Sequence, residues 1–168
     1  MHTNVIRSFF AERASVLLAS AVLLAPLAVA CTSLLSACME WMFDFKSIPP
    51  NSVAETLENG LGATRIISAL IFAPIVENVF CLLWARFLPV FSLQHGWWSK
   101  PSCIATIAAA FHALIFWDIR PIAVFPGFFI ISMYIVNSRN KKIGYWASVI
   151  HHFCINAINL SLVIIVSD

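Results

Sequence analysis

Charged residues are scarce in this sequence. Lys and Arg number 10 and Asp and Glu number 8 among 168 residues, so charged side chains make up 11% of the chain, against about a quarter in soluble domains. The net charge of +2 is small and spread over the polar segments, whereas a nucleic-acid-binding domain carries a clustered basic surface. The composition therefore excludes an ordinary soluble domain, and no nucleic-acid partner is expected.

Paired cysteine motifs are also missing. None of the five cysteines belongs to a CxxC pair, and all of them fall inside apolar stretches: Cys31, Cys38, Cys81, Cys103 and Cys154. A cysteine in an apolar helix packs as a small hydrophobic residue. We therefore expect neither a disulfide framework nor a zinc site built from cysteines.

What the sequence has instead is long apolar runs. Hydrophobic residues make up 61% of the chain, and the mean hydropathy is +0.89. About 20 consecutive apolar residues cross a bilayer as a helix, and runs near this length occur at residues 14–39, 66–88, 101–117, 121–136 and 143–166. The prediction is an all-α fold: a polytopic membrane helical bundle of about five transmembrane helices, forming a single domain over residues 1–168.

The most polar segment, residues 40–65, separates the first two runs. Pro49 and Pro50 end any helix that precedes them. The residues that follow have one apolar face, formed by Val53, Leu57 and Leu61, and this pattern predicts a short amphipathic helix. We expect it to lie along the membrane surface, either as a linker or as a cover over a site.

The basic residues between the runs predict an orientation, because cytoplasmic loops of membrane proteins are enriched in Lys and Arg. With five spans, the side that carries the N-terminus holds seven of them: Arg7, Arg13, Arg86, Lys100, Arg139, Lys141 and Lys142. The other side holds Lys46, Arg65 and Arg120. We expect an integral multi-pass protein of a bacterial plasma membrane, with a cytoplasmic N-terminus and membrane lipid around it.

Glu77 stands near the middle of the second run, with eleven uncharged residues before it and eight after it. A carboxylate at that depth costs several kcal/mol unless a partner or water meets it, and such residues are functional candidates. Pro74 lies three residues earlier. A proline there kinks or divides the helix and frees backbone carbonyls near the carboxylate.

Two other runs carry polar groups that lipid would reject. His112 lies in the third, and His152 and Asn156 lie four residues apart in the fifth, so they share one helix face, with Asn159 near the same stripe. His151 is rotated by about 100° from His152 and points toward the headgroups or another helix. Polar groups on three spans satisfy one another best as a single cluster. The fourth run, whose only ionisable group is Tyr134, is interpreted as scaffold.

Such a cluster suits hydrolysis. A carboxylate beside an imidazole holds a water molecule and takes its proton, and a second imidazole with an amide donates hydrogen bonds to an oxyanion. The same Glu and two His are also a possible zinc ligand set with a fourth position for water, which we do not favour. His112 and His152 as the axial ligands of a haem are a further alternative.

The order of these residues resembles the CAAX-protease and bacteriocin-processing family, whose pattern is EExxxR, then FxxxH, then HxxxN or HxxxD on separate helices. Glu77, after the lead-in APIV, is similar to the first family glutamate; His112 matches the second motif, and His152 with Asn156 matches the third. The resemblance covers residues 70–160 and places a family-like core at 66–166. It implies an intramembrane glutamic endopeptidase in which Glu77 and His112 activate water, and His152 and Asn156 stabilise the oxyanion.

Three positions depart from that pattern. Asn78 replaces the second glutamate, Leu82 the arginine and Ala108 the phenylalanine, although Phe111 directly precedes His112. Two functions therefore stay open. One is an endopeptidase, free of cofactors, that hydrolyses a peptide bond near a membrane-embedded or lipid-modified segment of a protein or peptide substrate. The other is a catalytically impaired relative that acts as a membrane immunity or partner-binding protein.

Overall fold

The structure is a computed structural model that describes residues 13–43, 63–88, 96–116 and 120–167, and every element in these ranges is helical. The α-helices are α1 (Ala14–Leu23), α2 (Ala25–Phe43), α3 (Ala63–Ile67), α4 (Ala73–Phe87), α5 (Ser99–Phe116), α6 (Phe125–Asn137) and α7 (Lys141–Ser167). A π-helix, Ser68–Phe72, joins α3 to α4, and a 3-10 turn, Arg120–Val124, leads into α6. The described residues thus form five helical segments that match the five predicted runs within a few residues.

Two of these segments are interrupted next to a proline. One residue, Leu24, separates α1 from α2. Leu24 keeps both of its backbone hydrogen bonds, to Ser20 O and from the N–H of Ala28, whereas Pro26 lacks the N–H that would bond the carbonyl of Val22, four residues earlier. In the second segment the π-helix ends directly before Ala73 and Pro74. Both interruptions leave backbone carbonyls available to side chains of other helices.

The centre of the bundle is formed by α5, α6 and α7. Cys81, Ile104 and Ile131 belong to one buried apolar cluster, and α1 packs against a second cluster around Tyr134. Gly144 allows α6 and α7 to approach closely, since a Cβ at this position would lie 2.5 Å from the carbonyl oxygen of Tyr134. The close packing of these helices gives α7 a fixed position against its neighbours.

Many apolar side chains face outwards. On α4 alone, seven large apolar residues are exposed: Ile75, Val76, Val79, Phe80, Leu82, Leu83 and Phe87. Two helices of the described part, Ala14–Met42 and Ser68–Phe87, are long and apolar enough to cross a membrane, and Ser99–Ile115 and Ile122–Asn137 are shorter apolar helices. An apolar surface of this extent is typical of a protein that meets lipid or another protein. Most of the predicted interfacial helix, between residues 44 and 62, lies outside the described residues.

Candidate active site

Glu77 and two histidines meet between α4, α5 and α7. One carboxylate oxygen, Oε2 of Glu77, lies 3.5 Å from Nε2 of His112 and 3.5 Å from Nε2 of His152. The side chain of Glu77 is 31% exposed, that of His112 19% and that of His152 8%. A distance of 3.5 Å is longer than a good direct hydrogen bond of about 2.7–3.2 Å. The three groups are nevertheless close enough to bond the same small molecule.

His112 is oriented by its own helix. Its Nδ1 lies 2.8 Å from the carbonyl oxygen of Ala108, one turn earlier on α5. A carbonyl only accepts hydrogen bonds, so Nδ1 carries the hydrogen, and in the neutral ring Nε2 presents a lone pair to Glu77. The position named as a departure from the FxxxH motif therefore contributes its backbone to the site.

His152 is oriented by a chain of hydrogen bonds whose direction is fixed at one end. The hydroxyl of Ser148 donates to the carbonyl of Tyr145 at 2.7 Å, so its oxygen accepts from Nδ2 of Asn78 at 3.1 Å. Oδ1 of Asn78 then faces Nδ1 of His152 at 3.2 Å and accepts its hydrogen. The Nε2 of His152 is again the atom left to face Glu77.

Asn78, where the family-like pattern has a second glutamate, is thus the support of His152. Its side chain is completely buried, and a neutral amide supplies the acceptor and the donor that the chain of hydrogen bonds requires. Leu82, one turn further on, points outwards with 37% of its surface exposed, and Arg86 is exposed at the end of α4.

Asn156 is held by a backbone carbonyl of the second helical segment. Its Nδ2 donates to Ala69 O at 2.8 Å. That carbonyl is accessible because the N–H of Ala73 bonds to Ser68 O in the π-helix, and Pro74 has no N–H to offer. The predicted release of a carbonyl by Pro74 is therefore confirmed. An amide carries two N–H donors, and Ala69 takes one of them.

A polar cavity of about 200 Å³ connects these groups. Glu77, His112, His152 and Asn156 all line it, so the four residues singled out from the sequence surround one space. Asn159 also lines it, as its place on the stripe of α7 predicts. Thr32 from α2 is a lining residue that the sequence pattern did not single out, since nothing local distinguishes it from other small residues in that run.

The fourth run, interpreted as scaffold, supplies four apolar lining residues of the polar cavity: Val124, Gly127, Phe128 and Ile131. The ring of Phe128 lies 5.0 Å from the ring of His112 and 5.6 Å from that of His152, measured between centroids. It therefore holds both imidazoles against Glu77 and lines the polar cavity as well. Phe128 is one of several phenylalanines in a phenylalanine-rich stretch, so only the packing of the helices identifies it.

His151 belongs to a different environment from its neighbour. It is fully buried, its Nδ1 donates to Ala21 O of α1 at 2.8 Å, and its ring packs against Tyr134. The hydroxyl of Tyr134 is in turn hydrogen-bonded to Oγ of Ser20, with 2.9 Å between the two oxygens. Of the two directions that the sequence left open for His151, the structure selects another helix.

The sequence leaves two ligand sets open: Glu77 with two histidines for zinc, and His112 with His152 for haem. Within the described ranges, no group of three His, Cys, Asp or Glu side chains has the arrangement of a metal site. A haem iron between His112 and His152 does not fit, because the carboxylate of Glu77 lies against the Nε2 atom of both rings. Comparisons with protein-family models, with curated proteins and with solved structures gave no match for this chain.

Proposed function

We propose that this protein is an intramembrane endopeptidase that hydrolyses a peptide bond with a water molecule activated by Glu77 and His112. The observation that carries the proposal is the meeting of Glu77, His112 and His152 at 3.5 Å. Three hydrogen-bond acceptors face one another there when both rings are neutral and the carboxylate is charged. A molecule with two protons to donate, such as water, stabilises this arrangement.

The chemistry follows from the placement of the groups. The carboxylate of Glu77 accepts a proton from the water, whose oxygen then bonds to the carbonyl carbon of the substrate. An N–H donor of Asn156 stabilises the negative oxygen that forms, and His152 adds a second donor only while the proton taken from the water resides on its Nε2, which carries a lone pair in the neutral ring. The C–N bond breaks as the amine takes the proton from Glu77 or His112, so one water is consumed and an acid and an amine are released.

The substrate side of the proposal rests on the surroundings of the site. The carboxylate lies on a helix that is long and apolar enough to cross a membrane, and outward-facing apolar side chains surround it. We propose a multi-pass protein of a bacterial plasma membrane with a cytoplasmic N-terminus. Its substrate is a protein or peptide with a membrane-embedded or lipid-modified segment beside the cleaved bond.

Variants of the purified protein in lipid vesicles test the activity. The substrate is a library of peptides fused to a transmembrane anchor, and mass spectrometry detects the cleavage. We expect Glu77→Gln and His112→Ala to lower the cleavage rate by at least about 100-fold, the scale of general-base catalysis. Glu40→Gln is the control, since Glu40 is an exposed carboxylate on α2. Equal thermal unfolding temperatures would show that the variants remain folded.

Undiminished cleavage in both variants would contradict the proposal. A chelator distinguishes metal-free hydrolysis from the zinc alternative. Hydrolysis by Glu77 and His112 alone should persist in its presence, whereas zinc-dependent hydrolysis should stop. The catalytically impaired alternative predicts no cleavage by the wild-type protein and retention of its biological function in the Glu77→Gln protein. Asn78 is compatible with the endopeptidase, since its Oδ1 accepts a hydrogen bond from His152, and Leu82 is the departure that still favours the impaired alternative.

A further inference from the structure

A second opening lies on the other side of Glu77 and His112. It is a groove of about 350 Å³ between α4 and α5, and it shares Glu77, His112 and Phe128 with the polar cavity. The three shared side chains therefore form a partition between a polar space and an apolar one. The groove therefore adjoins the candidate active site, since the same three side chains line both.

Two facing helical stripes form the walls of this groove. On α4 they are Glu77, Phe80, Cys81 and Trp84, and on α5 they are Ala108, Phe111, His112 and Ile115. Each set has the spacing i, i+3, i+4, i+7, which places four side chains on one face of a helix. The polar member of each stripe belongs to the catalytic pair, and every other member is apolar or a thiol.

Trp84 limits the groove at the end away from the carboxylate. It is seven residues from Glu77, which corresponds to about 10.5 Å along the helix axis. Its indole packs against Phe80 on its own helix and edge-on against Phe111 on α5, with 6.4 Å between centroids in both pairs. The indole of Trp84 therefore bridges the two walls of the groove about two helical turns from the carboxylate.

We infer that this groove is a specificity subsite that binds a bulky apolar side chain, such as that of Phe, Leu or Met, from the substrate residue adjacent to the cleaved bond. The inference rests on the proposed function, because the catalytic pair at the mouth of the groove defines which bond lies next to the bound side chain. The backbone of the substrate then passes through the polar cavity, where amide and hydroxyl side chains line its path.

Discrimination by such a subsite has an expected size. An apolar pocket that loses one or more methylene groups of its ligand discriminates by about 10- to 200-fold in kcat/KM. Peptides with Phe, Leu or Met beside the cleaved bond should therefore be cleaved at least tenfold faster than peptides with Ala or Gly. An Asp side chain should be rejected more strongly, because its charge would be buried among apolar groups.

The test uses the full-length protein in vesicles of neutral lipid and anchored peptides that differ at one residue. Wild type, Trp84→Ala and Trp146→Ala are compared by the cleavage rate for each side chain. Removal of the indole of Trp84 lengthens the groove, so the preference should move from Leu and Phe toward Trp. Trp146 is an exposed tryptophan on α7 that lines neither opening, and its variant should keep the wild-type preference.

A cross-linking experiment measures occupancy without cleavage. The Glu77→Gln protein is irradiated with an anchored peptide that carries benzoylphenylalanine at the variable position, and the adducts are mapped by mass spectrometry. Adducts should concentrate on Phe80, Trp84 and Phe111, and a peptide with leucine at that position should compete for them. Adducts spread over lipid-facing residues of α1 and α2, or displaced by added lipid alone, would overturn the subsite.

The outcomes separate the two proposals. Cleavage that depends on Glu77 but not on the variable side chain would overturn the subsite and leave the endopeptidase standing. Adducts in the groove without cleavage by the wild-type protein would overturn the endopeptidase and leave an apolar side-chain site. A preference that does not change in Trp84→Ala would show that another part of the molecule selects the substrate.

Discussion

At the scale of single residues, two adjacent histidines have separate tasks. His152 faces the carboxylate of Glu77, whereas His151 donates to a carbonyl of α1 and lies among buried side chains. A rotation of about 100° between successive residues of a helix places them on different faces. The same residue type, one position apart, therefore belongs to the site in one case and to helix packing in the other.

Replacement of each histidine by leucine should separate these tasks. His151→Leu leaves the buried carbonyl of Ala21 without its donor, and a buried unpaired group costs about 1–3 kcal/mol. We expect a lower thermal unfolding temperature and an unchanged cleavage rate for each folded molecule. His152→Leu should abolish cleavage. If His151→Leu lost as much activity as His152→Leu, the separation of their roles would be incorrect.

Asn78 provides the second prediction at this scale. In Asn78→Leu the Nδ1–H of His152 loses its acceptor, so the ring is free to change tautomer and orientation. We expect kcat to fall by about tenfold or more, in line with about 1–3 kcal/mol for an unpaired buried donor, with little change in KM. Asn78→Asp keeps an oxygen toward His152 but loses the donor to Ser148 and buries a second charge beside Glu77, so it should not restore the wild-type kcat. Equal rates for wild type and Asn78→Leu would remove Asn78 from the mechanism.

At the scale of helices, α7 bonds backbone carbonyls that lie just before the two helix interruptions. Ala21 lies five residues before Pro26 and Ala69 five residues before Pro74, and their carbonyls accept hydrogen bonds from His151 and Asn156. Tyr145 adds a further bond, from its hydroxyl to Ile75 O at 3.3 Å. The polar side chains of α7 thus donate hydrogen bonds to backbone carbonyls of both the first and the second helical segment.

Pro74→Ala tests this relation. The substitution restores an N–H at position 74, which competes with Asn156 for the Ala69 carbonyl and favours a regular α-helix. We expect cleavage to fall, but by less than the loss of about 100-fold or more expected for Asn156→Ala, which removes an oxyanion donor altogether. The unfolding temperature should not fall, since an interior proline costs a helix about 3 kcal/mol. Wild-type activity in Pro74→Ala would show that Asn156 does not need this carbonyl.

At the scale of the whole molecule, the helical segments place a small polar site inside an apolar shell. Lys141 marks one end of this shell: its ammonium donates to Val136 O at 2.6 Å and so caps α6. Burial, and secondly the charge of Lys100, lower the pKa of Lys141. Both lysines belong to the side that we expect to be cytoplasmic, where water and anionic headgroups stabilise positive charge.

Reporter fusions test the predicted orientation. With five spans and a cytoplasmic N-terminus, the C-terminus lies outside the cytoplasm. We expect alkaline phosphatase fused after residue 168 to be active and β-galactosidase at the same position to be inactive. Fusions after Asn140, in the turn between α6 and α7, should show the reverse pattern. The same reporter active at both positions would contradict a fifth span.

The amino-acid sequence was sufficient to predict the helical class, the five segments and the four polar residues around the site. It could do so because apolar runs, helical spacing and a carboxylate in an apolar run are local properties of the chain. Pro74 was also recognisable as a helix breaker from its chemistry alone. The direction of His151 was not, since a position on a helix face does not say which helix lies opposite.

The packing of the helices against one another determines how the site is completed. Phe128 and Thr32 come from segments without a distinguishing pattern, and their roles depend on which helices pack together. In the sequence, Asn78 is a departure from the family pattern. In the structure its Oδ1 accepts a hydrogen bond from His152, because Ser148 of another helix fixes the orientation of the amide. The spacing of residues in the sequence defines which side chains share a face of a helix, whereas the packing of the helices determines which residues that face contacts.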